Sequence, residues 1–383
     1  MGFSKLLPSL PIEELVQRSL ESNPHHVNNI LKKGRAESLE EFASLISPAA
    51  LTHTEALARV SQKITNRQFG KVIRLFAPIY LSNECINICR YCGFSRDVDI
   101  PRITISVDQF LKETRLLSSQ GFRSLLIVAG EHPKYVSNGY VEECIRKCLP
   151  FMPSILLELG PLETEDYRPI VKAGAEGLVV YQETYHKPTY SQMHPAGPKK
   201  KYGWRVDTAE RAYDAGFRRI GIGPLLGLYD WRYEAIALAA HARYLYQHCW
   251  KVHLTISLPR LRPASGNFQT KNQYQLQNQE LVQLICSLRM LLPHVGIVLS
   301  TRELPNLRDG LVRIGITNMS AGSSTEPGGY SHFDTNSWKR VDEQPGEQFH
   351  IADERSPGEI ADMIRSQGYE PVWKDFDQAL VSS

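Results

Sequence analysis

The pattern of apolar and polar positions divides the chain into a helical first part and a longer alternating part. Up to about residue 73, apolar positions recur at helical spacing, and start signals such as Pro11 and Ser38 precede them. From residue 75 onward, short apolar runs typical of buried strands alternate with amphipathic segments of helical length. The strand-like runs are 76–81, 124–128, 155–159, 177–180, 219–222, 252–258, 297–299 and 318–320.

Helix boundaries in the alternating part are marked by two devices. Gly121, Gly174 and Gly216 each stand just before an apolar run, where a left-handed residue ends a helix. Ser106 and Asp207 each precede a glutamine or glutamate by three positions, which predicts capping boxes. Eight strand–helix units in succession favour an α/β fold, a closed (βα)8 barrel of the TIM type. We predict three parts: a helical extension over 1–73, the barrel over 74–324 and a C-terminal lid segment over 325–383.

Composition places the chain among ordinary globular proteins and excludes some partners. Of 383 residues, 42% are apolar and 22% charged, and the net charge is +3. This small, evenly spread charge argues against nucleic acid as a partner, and the lysine run 199–201 is interpreted as a solvated loop. The sequence contains no run of about 18 apolar residues, so no membrane span is predicted. The seven cysteines, three of them in one loop, favour a reducing, cytoplasmic location.

Cys85, Cys89 and Cys92 follow the first apolar run at spacing C-x3-C-x2-C. Thiolates are soft ligands, and a loop this short can present all three to one metal centre. A structural zinc site or an ordinary iron–sulfur site takes four ligands, but the next cysteine is Cys144. The spacing therefore favours a 4Fe–4S cluster with one open iron. The alternatives are a zinc loop completed by a distant histidine such as His132, or cysteines that only pack.

Polar residues follow nearly every predicted strand. In a parallel barrel these strand ends share one face, where barrel enzymes build their sites. Together with the cysteine loop after the first strand, they predict an active site at the C-terminal mouth of the barrel. The candidates are Gly130, Glu131, Glu158, Gln182, Glu183, Arg260, Arg262, Arg302, Ser320 and Ser323.

The cysteine loop also carries a resemblance to a known family. The pattern C-x3-C-x-aromatic-C, with Tyr91 as the aromatic residue, resembles the signature of radical S-adenosylmethionine enzymes. That resemblance implies a 4Fe–4S cluster whose open iron binds S-adenosylmethionine and whose electron cleaves it to a 5′-deoxyadenosyl radical. Further stretches resemble the 2-iminoacetate synthase family over nearly the whole chain: 89–94, 130–132, 180–186, 259–263, 299–303, 327–330 and 371–375.

The second resemblance implies a carbon–carbon lyase of thiamine thiazole biosynthesis. Such an enzyme takes a hydrogen from the amine of L-tyrosine and splits the Cα–Cβ bond, giving 2-iminoacetate (dehydroglycine) and p-cresol, with methionine and 5′-deoxyadenosine. Implied partners are thiazole synthase, which accepts the product, and a flavodoxin- or ferredoxin-type electron donor. A tryptophan-cleaving relative and a non-catalytic metal-binding protein are the alternatives. A hydrogenase maturase with a second, C-terminal cluster is disfavoured because the last cysteine is Cys286.

The resemblance also implies roles for cofactor-binding residues. Tyr91 is expected to shield the cluster from water and pack near the adenine, although core packing alone would explain it equally well. Gly130 and Glu131 are expected to receive the methionine ammonium, whose charge needs acceptors in a dry site. Three further polar residues could bind the cofactor, but a buried structural hydrogen bond would explain each of them nearly as well. The candidates for the ribose hydroxyls and the sulfonium are Glu158, Gln182 and Glu183.

The substrate side of the predicted site centres on Arg302. A guanidinium grips a carboxylate with two parallel hydrogen bonds, so Arg302 is expected to bind the α-carboxylate of tyrosine. Ser320 and Ser323 are expected to add hydroxyl donors beside it. Arg260 or Arg262 is the alternative carboxylate ligand, although each could instead tie loops together.

Overall fold

The structure, a computed structural model, describes residues 2–264, 274–334, 338–340 and 346–373. Within these residues, the first strand, β1, spans Val72–Ser82 and so begins before the predicted boundary at residue 74. The helical character predicted for the preceding part is confirmed. Six described α-helices, α1 to α6, come before β1: Phe3–Leu6, Ile12–Glu21, Pro24–Lys33, Leu39–Leu45, Pro48–Leu51 and Thr54–Phe69.

The described strands close into a parallel barrel, as predicted. Each strand is parallel to its neighbours, and β1 pairs with both the second and the eighth strand. Ile79 lies opposite Ile127 on one side of β1, and Leu75 lies opposite Met319 on the other. Strands β2 to β8 are Ser124–Ala129, Ser154–Glu158, Gly177–Glu183, Arg219–Pro224, His253–Ser257, Gly296–Leu299 and Asn318–Ser320.

Helices cover the outside of the barrel and end as the sequence predicts. Gly121, Gly174 and Gly216 have φ angles of 100°, 118° and 114°, in the left-handed region that a side chain disfavours. The helices α7 to α15 of the described chain are Val107–Ser119, Asn138–Cys148, Thr164–Ala173, Lys187–Met193, Tyr202–Val206, Thr208–Ala215, Trp231–His248, Asn278–Leu291 and Pro305–Leu311.

Of the two predicted capping boxes, one forms and one does not. Ser106 and Gln109 exchange both hydrogen bonds at the start of α7. Asp207 does not cap α12, since its carboxylate instead accepts hydrogen bonds from the Ser4 backbone N–H at 2.7 Å and the Ser4 hydroxyl at 2.6 Å. Glu210 likewise accepts from the Phe3 N–H at 2.9 Å. Both acids therefore anchor α1 to the barrel.

The helices before β1 pack on the outer helices of the barrel. Helix α13, with 18 residues the longest that the structure describes, contacts α2 and α4, and all but its ends are buried. Arg232 at its start donates to the Ile46 carbonyl at 3.0 Å. Burying both faces of α13 explains why its sequence is apolar almost all round. None of the described helices is both long and apolar enough to cross a membrane.

The segment after the barrel reaches both of its ends. Helix α16 spans Pro357–Ser366, and β9, Glu370–Val372, pairs with the first residues of β1 at the N-terminal end of the barrel. Gln348, by contrast, lies at the opposite, C-terminal mouth. Of the described residues in the predicted lid segment, Thr325, Gln348 and Phe349 thus contribute to the mouth.

A fully buried ion pair holds this segment behind the site. Arg308 of α15 pairs with Asp353, and both side chains are 0% exposed. Arg308 also donates to the Ser320 carbonyl. Because an unpaired buried charge is strongly destabilising, removing either partner would cost roughly 3–5 kcal/mol. The pair therefore fixes residues near 353 to the C-terminal end of β8.

Candidate active site

A cavity of about 130 Å³ opens among the C-terminal ends of the barrel strands. This is the face on which the sequence predicts the site. The cavity brings together residues from the cysteine loop, from strand ends and from the segment after β8. The predicted site residues that line it are Tyr91, Cys92, Glu158, Glu183, Arg302, Ser320 and Ser323.

The three cysteines share one compact loop at the end of β1. The Cys92 N–H donates to the Cys89 carbonyl at 3.1 Å, and the Cys89 N–H donates to the Ser95 hydroxyl at 3.0 Å. Two side-chain amides approach the sulfurs: Asn87 Nδ2 lies 3.8 Å from Cys85 Sγ, and Gln348 Nε2 lies 4.0 Å from Cys92 Sγ. Hydrogen-bond donors of this kind stabilise thiolates, which is the form in which cysteine binds a metal.

Burial alone disfavours bare thiolates in this loop. It raises the pKa of Cys92 to about 11 and raises the pKa of Cys89 further. A thiolate in such surroundings needs a bound cation, and iron supplies one. Cysteine ligands of a cluster each bind a different iron, so they need a wider arrangement than a single ion requires. The donor set therefore fits a 4Fe–4S cluster with three protein ligands.

His132, the alternative zinc ligand, has other partners. Its Nδ1 accepts the Lys134 N–H at 3.2 Å, and its ring lies 4.7 Å from that of Tyr135. Among the described residues, no three His, Cys, Asp or Glu side chains are grouped so as to hold one metal ion. The other cysteines, Cys144, Cys148, Cys249 and Cys286, are buried and unbridged.

Gly130 and Glu131 lie directly against the cysteine loop. A Cβ at Gly130 would stand 2.2 Å from the Glu84 carbonyl oxygen, so only glycine allows this approach. The Glu131 carbonyl accepts the Ile86 N–H at 2.9 Å, and its Oε2 accepts from Asn87 at 2.7 Å. The structure thus places both residues beside the cluster ligands, while one oxygen of Glu131 already orients the loop.

Strand β4 places alternate side chains of its last residues in the cavity and ends in a bulge. Its register against β5 shifts between Tyr181 and Glu183, and both of these residues line the cavity. Gln182, the extra residue of this bulge, is not among the lining residues, and its Nε2 donates to the Thr184 carbonyl at 3.4 Å. The expected contact between Gln182 and the cofactor is therefore not supported by its position.

Glu183 is a carboxylate held by two cations. Its Oε1 lies 2.7 Å from Lys199 Nζ and 3.7 Å from the Arg205 guanidinium. Burial by itself would raise the pKa of Glu183, but Lys199 and Arg205 outweigh burial, and the net pKa is lowered. Glu183 is thus ionised in the cavity wall. Its φ of 70° is rare for a residue with a side chain and is held by these contacts.

Glu158, the last residue of β3, is the second carboxyl group of the cavity. Burial raises its pKa to about 7; the neighbouring charge of Glu183 raises it as well, and the charge of Arg302 opposes the rise. No hydrogen bond to its carboxyl group is present among the described residues. A carboxyl group of this kind can both donate and accept near neutral pH.

Arg302 follows β7 and points into the cavity. Its guanidinium carbon lies 3.3 Å from the centroid of the Phe349 ring, a stacking contact that leaves the edge of the guanidinium free. Within the described part of the chain, the guanidinium has no carboxylate or hydrogen-bond partner. Burial lowers the pKa of Arg302 from its usual value, and nearby Tyr80 and Tyr181 oppose this shift. A partly buried cation that pairs with no carboxylate of the described chain can take one from a ligand.

The two predicted serines line the same cavity as Arg302. Ser320 Oγ accepts the Thr301 N–H at 3.1 Å, which leaves its hydroxyl proton available. Ser323 Oγ is buried and has no partner among the described residues. A buried hydroxyl without a partner can donate a hydrogen bond to a ligand in the cavity, and the proton of the Ser320 hydroxyl is available as well. Both serines are therefore compatible with the expected role.

Arg260 and Arg262 are committed elsewhere. Both donate to the carboxylate of Glu303, and Arg260 also donates to the Leu276 carbonyl at 3.0 Å. Neither arginine is among the lining residues of the cavity. The prediction of Arg260 as a substrate ligand is corrected accordingly, since Arg260 and Glu303 join the loops after β6 and β7.

Several lining residues escaped the sequence analysis. Tyr80 donates through its hydroxyl to Gln348 Oε1 at 2.8 Å, so the two close one side of the mouth. Alternation along β1 places Tyr80 inward with Phe76 and was a usable signal. Lys199, which the sequence analysis assigned to a solvated loop, lines the cavity instead.

Comparison with known proteins identifies the family. The model of the Radical SAM superfamily matches residues 79–240, and that of the Biotin and Thiamin Synthesis associated domain matches residues 257–370. The chain is 38% identical over 343 residues to 2-iminoacetate synthase from Escherichia coli, 89% of this chain and 88% of the relative. The chain belongs to the 2-iminoacetate synthase family. The Salmonella typhimurium member is 37% identical, with 90% of this chain and 88% of the relative covered.

Solved structures support the same placement. A crystal structure of HydG, a maturase of the FeFe-hydrogenase, matches with a TM-score of 0.89 and 31% identity and covers 97% of this chain and 81% of that one. Methylornithine synthase matches with a TM-score of 0.73 at 18% identity, covers 93% and 99% of the two chains, and shows the shared fold. As a radical S-adenosylmethionine carbon–carbon lyase of this family, the chain uses a 4Fe–4S cluster and S-adenosylmethionine.

The ligand assignment predicts a clear pattern of iron content. After anaerobic reconstitution we expect about four irons per chain, and Cys85→Ala, Cys89→Ala or Cys92→Ala should lose them because a cluster needs all three thiolates. The buried Cys144→Ala and Cys286→Ala variants are matched controls that should keep their iron. Iron and acid-labile sulfide assays measure the result. Loss of the cluster in either control, with retention in a loop variant, would refute the assignment.

Proposed function

We propose that the chain cleaves L-tyrosine between Cα and Cβ to 2-iminoacetate and p-cresol for thiamine thiazole biosynthesis. The observation that carries the proposal is Arg302, a partly buried guanidinium that pairs with no carboxylate of the described residues and lines the same cavity as Cys92. An amino-acid carboxylate is the anion that this site lacks. Family membership favours tyrosine as the amino acid.

When bound, the cluster and S-adenosylmethionine supply a 5′-deoxyadenosyl radical. Glu183 supports cofactor binding because both its cations reach Oε1, which leaves Oε2 to accept the ribose hydroxyls. Glu158, with a pKa of about 7, is a second acceptor in the same wall. Gly130 and Glu131 lie where the methionine ammonium would need acceptors next to the cysteine loop.

Arg302 orients the substrate. Stacking on Phe349 fixes the plane of the guanidinium, so a carboxylate bound to it has one favoured orientation. Ser320 and Ser323 add hydroxyl donors to that carboxylate. The amine shares Cα with the carboxylate, and fixing one group therefore also fixes the other within the cavity.

The remaining walls receive the phenol and keep water out. Phe76, Tyr80, Leu126, Val128 and Tyr181 line the cavity and give it an apolar, aromatic lining. Excluding water matters because a primary carbon radical reacts with almost any accessible bond to hydrogen. Aromatic walls match a phenol ring by offset or edge contacts.

The substrate assignment is tested by mass spectrometry of products. With tyrosine, S-adenosylmethionine and a reductant under anaerobic conditions, we expect p-cresol, glyoxylate from hydrolysed 2-iminoacetate, and 5′-deoxyadenosine. Arg302→Ala should reduce p-cresol by tens to hundreds of fold, because one charge-assisted contact in a dry site is worth roughly 2–4 kcal/mol. Arg302→Lys keeps the charge but loses the planar fork. Its yield of p-cresol should lie between those of the unmodified protein and Arg302→Ala.

The pattern of the two products separates substrate binding from other effects. In Arg302→Ala, 5′-deoxyadenosine should still form slowly while p-cresol nearly disappears, and the exposed Arg313→Ala serves as the matched control. Unchanged p-cresol would end the assignment of Arg302. Indole-derived products from tryptophan, with none from tyrosine, would instead establish the tryptophan-cleaving alternative.

Product transfer to a partner is part of the proposal. 2-Iminoacetate hydrolyses readily in water, so we propose that thiazole synthase accepts it near the segment beyond Thr325, which contributes to the mouth. A flavodoxin- or ferredoxin-type protein is the proposed electron donor, and a cytoplasmic location stays a prediction.

The partner is tested by following the fate of the product. Adding thiazole synthase should lower glyoxylate and raise thiazole in proportion, because captured imine does not hydrolyse. Co-purification of the two proteins is the second measurement. Unchanged glyoxylate together with no co-purification would contradict the transfer, while leaving tyrosine cleavage intact.

A further inference from the structure

The lysine run 199–201 has one member inside the site. Lys200 and Lys201 are exposed, whereas the side chain of Lys199 is only 13% exposed and lines the cavity. The three lysines are identical in chemistry, so it is the fold that places Lys199, and not its neighbours, in the cavity wall. Burying a lysine stem and charge needs a specific compensation.

The backbone around Lys199 is fixed against the cysteine loop. Ala196 forms an antiparallel bridge with Ile88, and the Lys199 N–H donates to Asn87 Oδ1 at 2.8 Å. Gly197 allows this approach, since its φ is 90° and a Cβ there would stand 2.3 Å from Asn87 Oδ1. These contacts do not involve the Lys199 side chain, so a substitution of that side chain leaves them in place.

The ammonium group lies between the cysteine loop and the cofactor side of the cavity. Nζ is 2.7 Å from Glu183 Oε1 and 5.6 Å from the centroid of the Tyr91 ring. Arg205 reaches the same oxygen at 3.7 Å, so two cations share one carboxylate. The group as a whole carries one net positive charge beside Tyr91 of the cysteine loop, and the charge of Lys199 acts on Cys89.

We propose that Lys199 is a positioning residue of the cofactor site with two effects. Its charge stabilises the extra negative charge that the cluster gains on reduction. Its hydrogen bond to Oε1 holds Glu183 so that Oε2 faces the nucleoside of S-adenosylmethionine. The proposal rests on the two cofactors and the three cysteines, and it does not depend on which amino acid is cleaved.

Electrostatics in a buried site make the first effect measurable. A charge near a cluster is screened far less there than at the surface, where Lys200 lies. Charge and hydrogen bonding around a cluster set its reduction potential. Removing the positive charge should therefore make the cluster harder to reduce. A side chain that only braced the loop would change stability but leave the potential where it was.

The test compares Lys199→Met with Lys200→Met in the reconstituted holoenzyme without tyrosine. A redox titration followed by electron paramagnetic resonance gives the potential, and equilibrium dialysis gives the affinity for S-adenosylmethionine. In Lys199→Met we expect full iron content and a reduction equilibrium constant lower by roughly tenfold, a shift of about 59 mV to more negative potential. Affinity for S-adenosylmethionine should fall by roughly tenfold as well.

The controls give the proposal several ways to fail. Lys200→Met should match the unmodified protein, and Lys199→Arg should restore the potential because it restores the charge. An unchanged potential in iron-loaded Lys199→Met, or an equal shift in Lys200→Met, would overturn the proposal. If Lys199→Met does not take up iron, Glu183→Gln is the deciding variant, because it removes the negative charge of the same group. A shift of the cluster to more positive potential upholds the role of this charge group. No shift refutes it.

Discussion

The side chain of Asn87 joins parts of the chain that are far apart in sequence, and the geometry of the site depends on it. Its Nδ2 donates to Glu131 Oε2 and approaches Cys85 Sγ, while its Oδ1 accepts the Lys199 N–H. Only 1% of the residue is exposed, so these bonds do not compete with water. The cysteine loop, the end of β2 and the segment after β4 are thereby held at fixed distances around the cavity.

This arrangement works because the barrel brings separate loops to one face and because small residues let them meet. Gly130 and Gly197 both stand where a Cβ would collide with the cysteine loop or its neighbour. Gly93 has the same relation to the segment after β8, since a Cβ there would lie 2.5 Å from the Glu347 carbonyl oxygen. Close backbone packing excludes water from a site whose chemistry requires dryness.

Elements with a strong local signal could be predicted from the sequence. The eight strands, the glycine helix ends and the cysteine loop follow from periodicity, left-handed turns and ligand spacing. The rest depended on long-range packing. Gln182 is different, because alternation along β4 already places it on the face opposite to Tyr181 and Glu183. Arg260 donates to Glu303 on the loop after the next strand. Lys199 is held in place by a contact with Asn87, more than a hundred residues earlier in the chain.

We propose that Arg302 fixes the tyrosine carboxylate so that the amine, not a carbon, meets the radical. Amine hydrogens exchange with solvent, whereas hydrogens on Cα and Cβ do not. Mass spectrometry of 5′-deoxyadenosine should therefore show deuterium when ordinary tyrosine is cleaved in D2O. It should show none when tyrosine deuterated at Cα and Cβ is cleaved in H2O. Deuterium transferred from the carbon-labelled substrate, with none gained from D2O, would contradict the account.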